Sequence, residues 1–362
     1  MKKKIIFFCP SIEIGGVEKN LFKVVNFFSF KSEDVTVITF DQKYINKKFS
    51  KKVKIVSSKF LNNLNLPYFI KVLFCVINYF LTYGLQKNLT FVSFQSNLYF
   101  ILLAKFTKNK IIARSNAAPN YYISNQLKLK LFQKIYKLAD KIIVNSQEFK
   151  KKFFETFKVM PIMIYNPSFK RKYSKFKKFR KIKKNELINF LNIARLTDQK
   201  NQIILLKALS EINNINYRLT IIGNGSKKNE LEKYILNNNL QNKIKIIDNI
   251  TNAKKFLSKC DVFILSSKFE GLPNVLIEAQ ILKKFIISSD CPTGPREILK
   301  NGNAGYLFNN NNYKDLKKNI LKFISKKNSI EIRDKIKIGY TNLYRFSERK
   351  NLEKYYKEIR RL

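Results

Sequence analysis

The chain has 362 residues, enough for two domains rather than one ordinary core, and its 45% apolar content is that of a globular protein. Its net charge of +46 suggests nucleic acid at first sight, but the 71 basic residues are 60 Lys and only 11 Arg, spread along the whole length. Sequence-specific nucleic-acid readers rely on Arg forks and a local basic face, so the charge reads as a general affinity for anions, not as nucleic-acid recognition. The sequence contains no His, and Cys9, Cys75, Cys260 and Cys291 form no CxxC, which argues against a structural zinc site. Scattered thiols of this kind suit a reducing compartment, and the location expected is cytoplasmic.

In chain order, short apolar runs alternate with helical patterns, the signature of parallel sheets covered by helices. The first half has strand-like runs at Ile5–Cys9, Val35–Phe40, Thr90–Phe94, Lys110–Arg114 and Lys141–Val144. The apolar start ends at Pro10 and Glu13, too soon for an export signal. Val17, Leu21, Val24 and Phe28 share one helix face, and so do Leu127, Leu131, Ile135 and Leu138. The most apolar stretch, Val72–Leu85, is too short to span a bilayer and reads as a buried helix, with a helix dipped into a membrane surface as its rival.

Ser168–Lys184 then holds ten Lys or Arg in seventeen residues and reads as a basic linker, whose aromatic residues could also touch an anionic membrane. The second half has strands at Leu187–Ile193, Arg218–Ile222, Lys243–Ile247, Val262–Leu265 and Phe285–Ser288, with helices at Gln202–Leu209, Asn229–Leu236 and Val275–Lys283. A last helix carries Leu352, Tyr355, Tyr356 and Ile359. The organisation expected is an N-terminal domain 1–167, a linker 168–185, a C-terminal domain 186–340 and a final helix in 341–362.

In doubly wound sheets ligands bind beyond the carboxyl ends of the strands, so four strand-to-helix loops matter most. Gly15 and Gly16 follow the first strand, where backbone can approach a ligand. Arg195 and Lys200 follow the first strand of the second half, one a planar fork and the other a point charge for phosphates. Gly223 and Gly225 flank Asn224 in a turn that either approaches a nucleotide or is only a turn. The fourth loop runs Glu270–Gly271–Leu272–Pro273–Asn274–Val275 into a helix that carries Glu278. Acids are scarce in this chain (25 in all), so two at such a loop point to hydrogen-bond acceptors for sugar hydroxyls.

Together these residues resemble the retaining glycosyltransferases of family 4, which have the α/β GT-B fold of two Rossmann-like domains facing across a cleft, with a C-terminal helix that returns to the first domain. Glu270 and Glu278 match the family's Glu-x7-Glu motif, Arg195 and Lys200 its Arg-x4-Lys clamp, and Gly15 and Gly16 its Gly-Gly loop. Gly223 and Gly225 match its Gly-x-Gly turn, Tyr165–Asn166–Pro167 the crossover, and Thr293–Leu299 the segment after the next strand.

The resemblance implies that Arg195 and Lys200 bind the diphosphate of a nucleotide-sugar donor, UDP-linked, and that Glu278 holds its ribose. Glu270 would meet the donor sugar, with the backbone of Gly271–Val275 lining sugar and phosphate. It further implies transfer of a hexosyl or N-acetylhexosaminyl group with retention, no cofactor and no metal, and a carbohydrate or polyprenyl-diphosphate-linked acceptor. Bacterial surface-polysaccharide assembly would be the setting, with peripheral attachment to the inner face of the cytoplasmic membrane. The chain departs from the family by lacking the histidine usual near the sugar, and the loop Arg114–Pro119 places Asn116 in that role. A non-catalytic sugar-nucleotide or polyanion binder of the same fold is the alternative.

Overall fold

The computed structural model describes residues 2–12, 15–41, 48–57, 66–116, 123, 125–170, 181–183, 185–213, 215–248 and 253–362. Of the positions singled out above, Glu13, the loop after Asn116 and most of the basic segment Ser168–Lys184 lie outside these residues. The chain folds as two compact units, one of residues 1–167 with 348–362 and one of residues 168–347.

The first unit is built on a parallel sheet. Its strands are β1 (Lys4–Phe8), β2 (Asp34–Ile38), β3 (Lys54–Val56), β4 (Thr90–Ser93), β5 (Lys110–Arg114), β6 (Lys141–Val144) and β7 (Ile162–Met163), in the order β3-β2-β1-β4-β5-β6-β7. Its helices are α1 (Gly16–Phe30), α2 (Tyr68–Tyr83), α3 (Asn97–Phe106), α4 (Gln126–Lys137) and α5 (Gln147–Phe157). Every strand is covered on both faces, so its residues alternate between two cores rather than between core and solvent. Ile6 and Phe8 pack against α2 to α5, whereas Ile5 and Phe7 pack on the other face against α1 and the C-terminal helix. A stacked ring pair, Phe8 and Phe100 with centroids 4.3 Å apart, ties β1 to α3.

The second unit repeats the plan with β8 (Ile188–Ile193), β9 (Tyr217–Ile222), β10 (Ile244–Ile247), β11 (Val262–Leu265), β12 (Phe285–Ser289) and β13 (Tyr306–Phe308), ordered β10-β9-β8-β11-β12-β13. Its helices are α6 (Gln202–Ser210), α7 (Lys228–Asn237), α8 (Ala253–Lys259), α9 (Asn274–Ile281), α10 (Pro295–Ile298), α11 (Tyr313–Lys326) and α12 (Ile330–Thr341). The last helix of the chain, α13 (Glu348–Arg360), belongs to the first unit, where it buries Leu352, Tyr355 and Ile359. Arg114, itself buried, reaches it by donating from Nε to the Tyr355 hydroxyl at 2.8 Å and from Nη2 to Asn166 Oδ1 at 2.7 Å.

The strands β3, β7 and β13 escape the sequence reading because each has only two or three residues, too few to show a period. Two helix faces differ from expectation. The stretch expected to be a buried helix is buried only along Val72, Cys75, Tyr79 and Tyr83 of α2. On α4, Ile135 is buried but Leu127, Leu131 and Leu138 are exposed, so the apolar spacing there does not mark the core side. Among the described residues, no helix is long and apolar enough to cross a membrane. All four cysteines are buried and free; burial pushes the Cys260 thiol up to about 12 and raises those of Cys9, Cys75 and Cys291 as well.

Candidate functional site

In the second unit the strand order reverses between β8 and β11, which pair directly. That reversal opens the crevice in which doubly wound sheets bind ligands. The two loops with the clamp residues leave from these two neighbouring strands, Arg195 and Lys200 after β8 and Glu270 after β11.

Glu270 is the most constrained of them. Its amide donates to Pro292 O at 2.7 Å and its carbonyl accepts from the Thr293 amide at 3.1 Å. The Thr293 hydroxyl donates to the carbonyls of Glu270 and Gly271, each at 3.2 Å. The side chain is equally held, for Oε1 accepts from Ser267 Oγ at 2.7 Å and from Lys200 Nζ at 2.6 Å. A carboxylate only 7% exposed is costly to bury without hydrogen-bond partners, and here it has a cation and a hydroxyl.

The resemblance assigns both bases, Arg195 and Lys200, to the donor diphosphate and the acids Glu270 and Glu278 to its sugar and ribose. The structure instead joins Lys200 to Glu270 in one ion pair, which leaves Arg195 as the cation at the end of β8. Arg195 is exposed, and among the described residues no ion pair holds its guanidinium. Its loop is rigid below it: Gln202 Nε2 donates to Arg195 O at 3.0 Å, and the Leu196 amide donates to Asn224 O at 2.9 Å. Ser266 Oγ reaches Lys200 O at 2.8 Å and Gln199 Nε2 reaches Phe269 O at 2.9 Å, so the two loops brace each other.

The Gly223–Gly225 turn closes β9 against this base. A Cβ on Gly223, at φ +154°, would stand 1.9 Å from Ala194 O, so only glycine lets the turn lie against the Arg195 loop. The turn therefore supports the clamp from beneath. In the fourth loop Gly271, Leu272 and Pro273 are buried, and Pro273 precedes α9 rather than opening it. Asn274 Oδ1 accepts from Ser168 Oγ at 3.2 Å. One turn further on, Glu278 is half-buried on α9, which starts without a side-chain cap.

In the first unit the reversal lies between β1 and β4. Gly15 caps α1, and the Glu18 carboxylate folds back so closely that a Cβ on Gly15 would lie 2.4 Å from Glu18 Oε2. The amide end expected to attract an external anion thus has the chain's own carboxylate beside it. Gln95 Nε2 donates to Glu18 Oε1 at 3.1 Å and to Ser11 O at 3.0 Å. Asp41 accepts from Ser11 Oγ at 2.8 Å and from Lys71 Nζ at 3.0 Å. Asn116 donates its amide to Phe94 O, while its buried Oδ1 finds no partner among the described residues. Gln95, Asp41 and Lys71 escape the sequence reading because isolated polar residues carry no period or motif.

Residues 174–339 match the family model described as Glycosyl transferases group 1. The chain is 34% identical over 212 residues to an uncharacterized glycosyltransferase of Methanocaldococcus jannaschii, covering 53% of this chain and 50% of that protein. It is 29% identical over 206 residues to the amylovoran biosynthesis glycosyltransferase AmsD of Erwinia amylovora, covering 55% of this chain and 57% of AmsD. The chain thus spans about half the length of these two relatives. A third, the N-acetylgalactosamine-N,N'-diacetylbacillosaminyl-diphospho-undecaprenol 4-alpha-N-acetylgalactosaminyltransferase of Campylobacter jejuni, is 25% identical over 321 residues, covering 84% of this chain and 86% of that protein. Among solved structures, Anabaena HepE in complex with UDP superposes with a TM-score of 0.76 at 16% identity, covering 99% of this chain and 100% of HepE. Staphylococcus aureus TarM superposes with a TM-score of 0.79 at 14% identity, covering 99% of both chains. The fold is that of the GT-B glycosyltransferases, two parallel-sheet Rossmann-like domains.

Proposed function

We propose that this chain is a glycosyltransferase that moves a hexosyl or N-acetylhexosaminyl group from a UDP-sugar to a carbohydrate or polyprenyl-diphosphate-linked acceptor, with retention and without a bound metal. The observation that carries this reading is the Glu270 carboxylate, fixed by Lys200 and Ser267 at the switch point of the second sheet, with exposed Arg195 on the adjoining strand end. The group 1 match over residues 174–339 covers the same loops. The relatives named for amylovoran and for an undecaprenol-linked glycan support assembly of a bacterial surface polysaccharide, and UDP in the HepE structure supports the donor's base.

In this reading the bond that breaks joins the donor's anomeric carbon to a diphosphate oxygen, and the new bond joins that carbon to an acceptor hydroxyl oxygen on the same face. Negative charge grows on the departing diphosphate. Arg195 meets it with a planar pair of donors, and the uncapped start of α9 adds amide dipoles. Glu270 accepts from donor sugar hydroxyls and Glu278 from the ribose. Since Lys200 already neutralises Glu270, its role is divided between holding that carboxylate and facing phosphate.

The test is release of nucleoside diphosphate from a panel of UDP-, GDP- and dTDP-sugars. Arg195→Ala removes a charge-assisted contact worth about 1.5–3 kcal/mol, so turnover should fall about 10- to 100-fold. Unchanged turnover in that variant rejects the clamp, and donor binding without release from any donor selects the non-catalytic alternative.

A further inference from the structure

We infer that the cavity beside edge strand β13 of the second unit binds a small phosphate monoester with a hydroxylated body, such as a sugar phosphate. The cavity has a volume of about 410 Å³, within the range of small-molecule sites. Its walls come from the turn between α10 and β13, through Asn301 and Asn303, from Tyr306 of β13, and from Lys322 of α11 and Lys335 of α12, with Arg296 of α10 beside them. In the strand order β8-β11-β12-β13 it lies two strands beyond the reversal between β8 and β11. It is therefore separate from the crevice that holds Arg195 and Glu270.

The charges on these walls identify the ligand. Lys322 and Lys335 place their ammonium groups 4.5 Å and 5.4 Å from the centre of the buried Tyr306 ring, which gathers two cations at one place. Their compensation within the protein is incomplete. Lys335 is half-buried and donates from Nζ to Gly302 O at 2.7 Å, and among the described residues no carboxylate pairs with it. Burial lowers its pKa, against the pull of Glu331. The Glu331 carboxylate is taken up by Lys326 at 2.8 Å and by the Tyr306 hydroxyl at 3.0 Å, and stands 3.9 Å from Lys322. Arg296 is bound to Asp290 through both Nε and Nη2, so that pair adds no net charge. What remains is an excess of positive charge that a doubly charged phosphate would offset. The side-chain amides of Asn301 and Asn303 offer donors and acceptors to the hydroxyls of its body. The turn that carries them is unusual, since Lys300, Asn301 and Gly302 follow one another at φ 49°, 56° and 90°. Such conformations persist where the surroundings enforce them, and here the turn brings Gly302 O to Lys335. A concave site with two cations suits a small dianion, whereas a polyanion needs charge spread along an open face. The inference does not depend on sugar transfer.

The test is calorimetric titration of the full chain with glucose 6-phosphate and, separately, with glucose. One equivalent of glucose 6-phosphate should bind, and glucose should not. A charge-assisted contact contributes about tenfold or more in affinity, so K322Q/K335Q should weaken glucose 6-phosphate binding by about a hundredfold. Arg195→Ala should leave that binding unchanged, and so should K128Q/K130Q/K134Q/K137Q, which neutralises four lysines of α4. The first control separates the cavity from the crevice at Arg195, and the second separates it from the general attraction of a chain with net charge +46. Should the double variant fail to fold, K322Q alone, at an exposed position of α11, decides with an expected loss of about tenfold. Absence of saturable glucose 6-phosphate binding by the wild type overturns the inference, and so does glucose binding as tightly as its phosphate. A folded K322Q/K335Q that binds like the wild type overturns it as well. Loss of binding in Arg195→Ala would reassign the ligand to the crevice, and an equal loss in the α4 variant would reduce it to unspecific attraction; either result also sinks the inference.

Discussion

The two sheets reverse strand order at the same place, after their first and fourth strands, yet they equip that place differently. In the second unit the reversal holds a charged pair, Lys200 and Glu270, and short loops braced by glycines that admit no Cβ. In the first unit it holds a hydrogen-bonded web in which Gln95 bridges Ser11 and Glu18, and the start of α1 has its own carboxylate beside it. One edge is braced by hydrogen bonds and keeps an exposed arginine at the end of β8. The other satisfies most of its polar groups internally. The same topology thus holds a braced ion pair at one switch point and a hydrogen-bonded polar web at the other.

The largest effect expected to separate the two units comes from ending the chain at Ser347. This removes α13, with Leu352, Tyr355 and Ile359 buried in the first unit. Losing three such side chains costs about 5–9 kcal/mol, comparable to the whole margin of about 5–15 kcal/mol of an ordinary domain. Hydrogen exchange should show lost protection in β1, β4 and β5 and retained protection in β8 and β11; loss shared equally by both sheets would end the division.

Gly223→Ala probes the rigidity of the second edge. With backbone 1.9 Å from the added Cβ, the turn must move, and a loss of about 3 kcal/mol or more is expected in denaturant unfolding. Gly84→Ala is the counterpart in the first unit, where φ is +54° but nothing lies within 4 Å of the new Cβ; it should cost only about 1 kcal/mol. Equal losses would show that strain at φ, not the close approach to Ala194, limits both glycines.

Tyr355→Phe should have a smaller effect than either the truncation or Gly223→Ala. It removes the acceptor of buried Arg114 Nε and keeps the ring, so the expected loss is about 2 kcal/mol, seen as a lower unfolding midpoint. No change would mean that Arg114 is satisfied without α13.

Much of the fold is legible in the residues because hydrophobic period and strand length are local properties. Lys110–Arg114, Lys141–Val144 and Val262–Leu265 end where their apolar runs end. The candidate site residues are legible for another reason, since Arg and acids are rare enough here for Arg195, Glu270 and Glu278 to stand out, whereas Lys200 is one of 60 lysines. What could not be read is which apolar face is covered. Leu127 and Leu131 have the spacing of a core stripe, and only the position of α4 in its layer leaves them outside.

By itself the sequence determined the alternating strands and helices and the loops with chemistry, because both depend on neighbours within a few residues. Only the tertiary structure decided that Lys200 closes on Glu270, 70 residues away, and that Arg114 meets Tyr355, 241 residues away. The reason is physical: a charge or a buried donor takes its meaning from the partner that the fold brings to it, and spacing along the chain does not encode that partner.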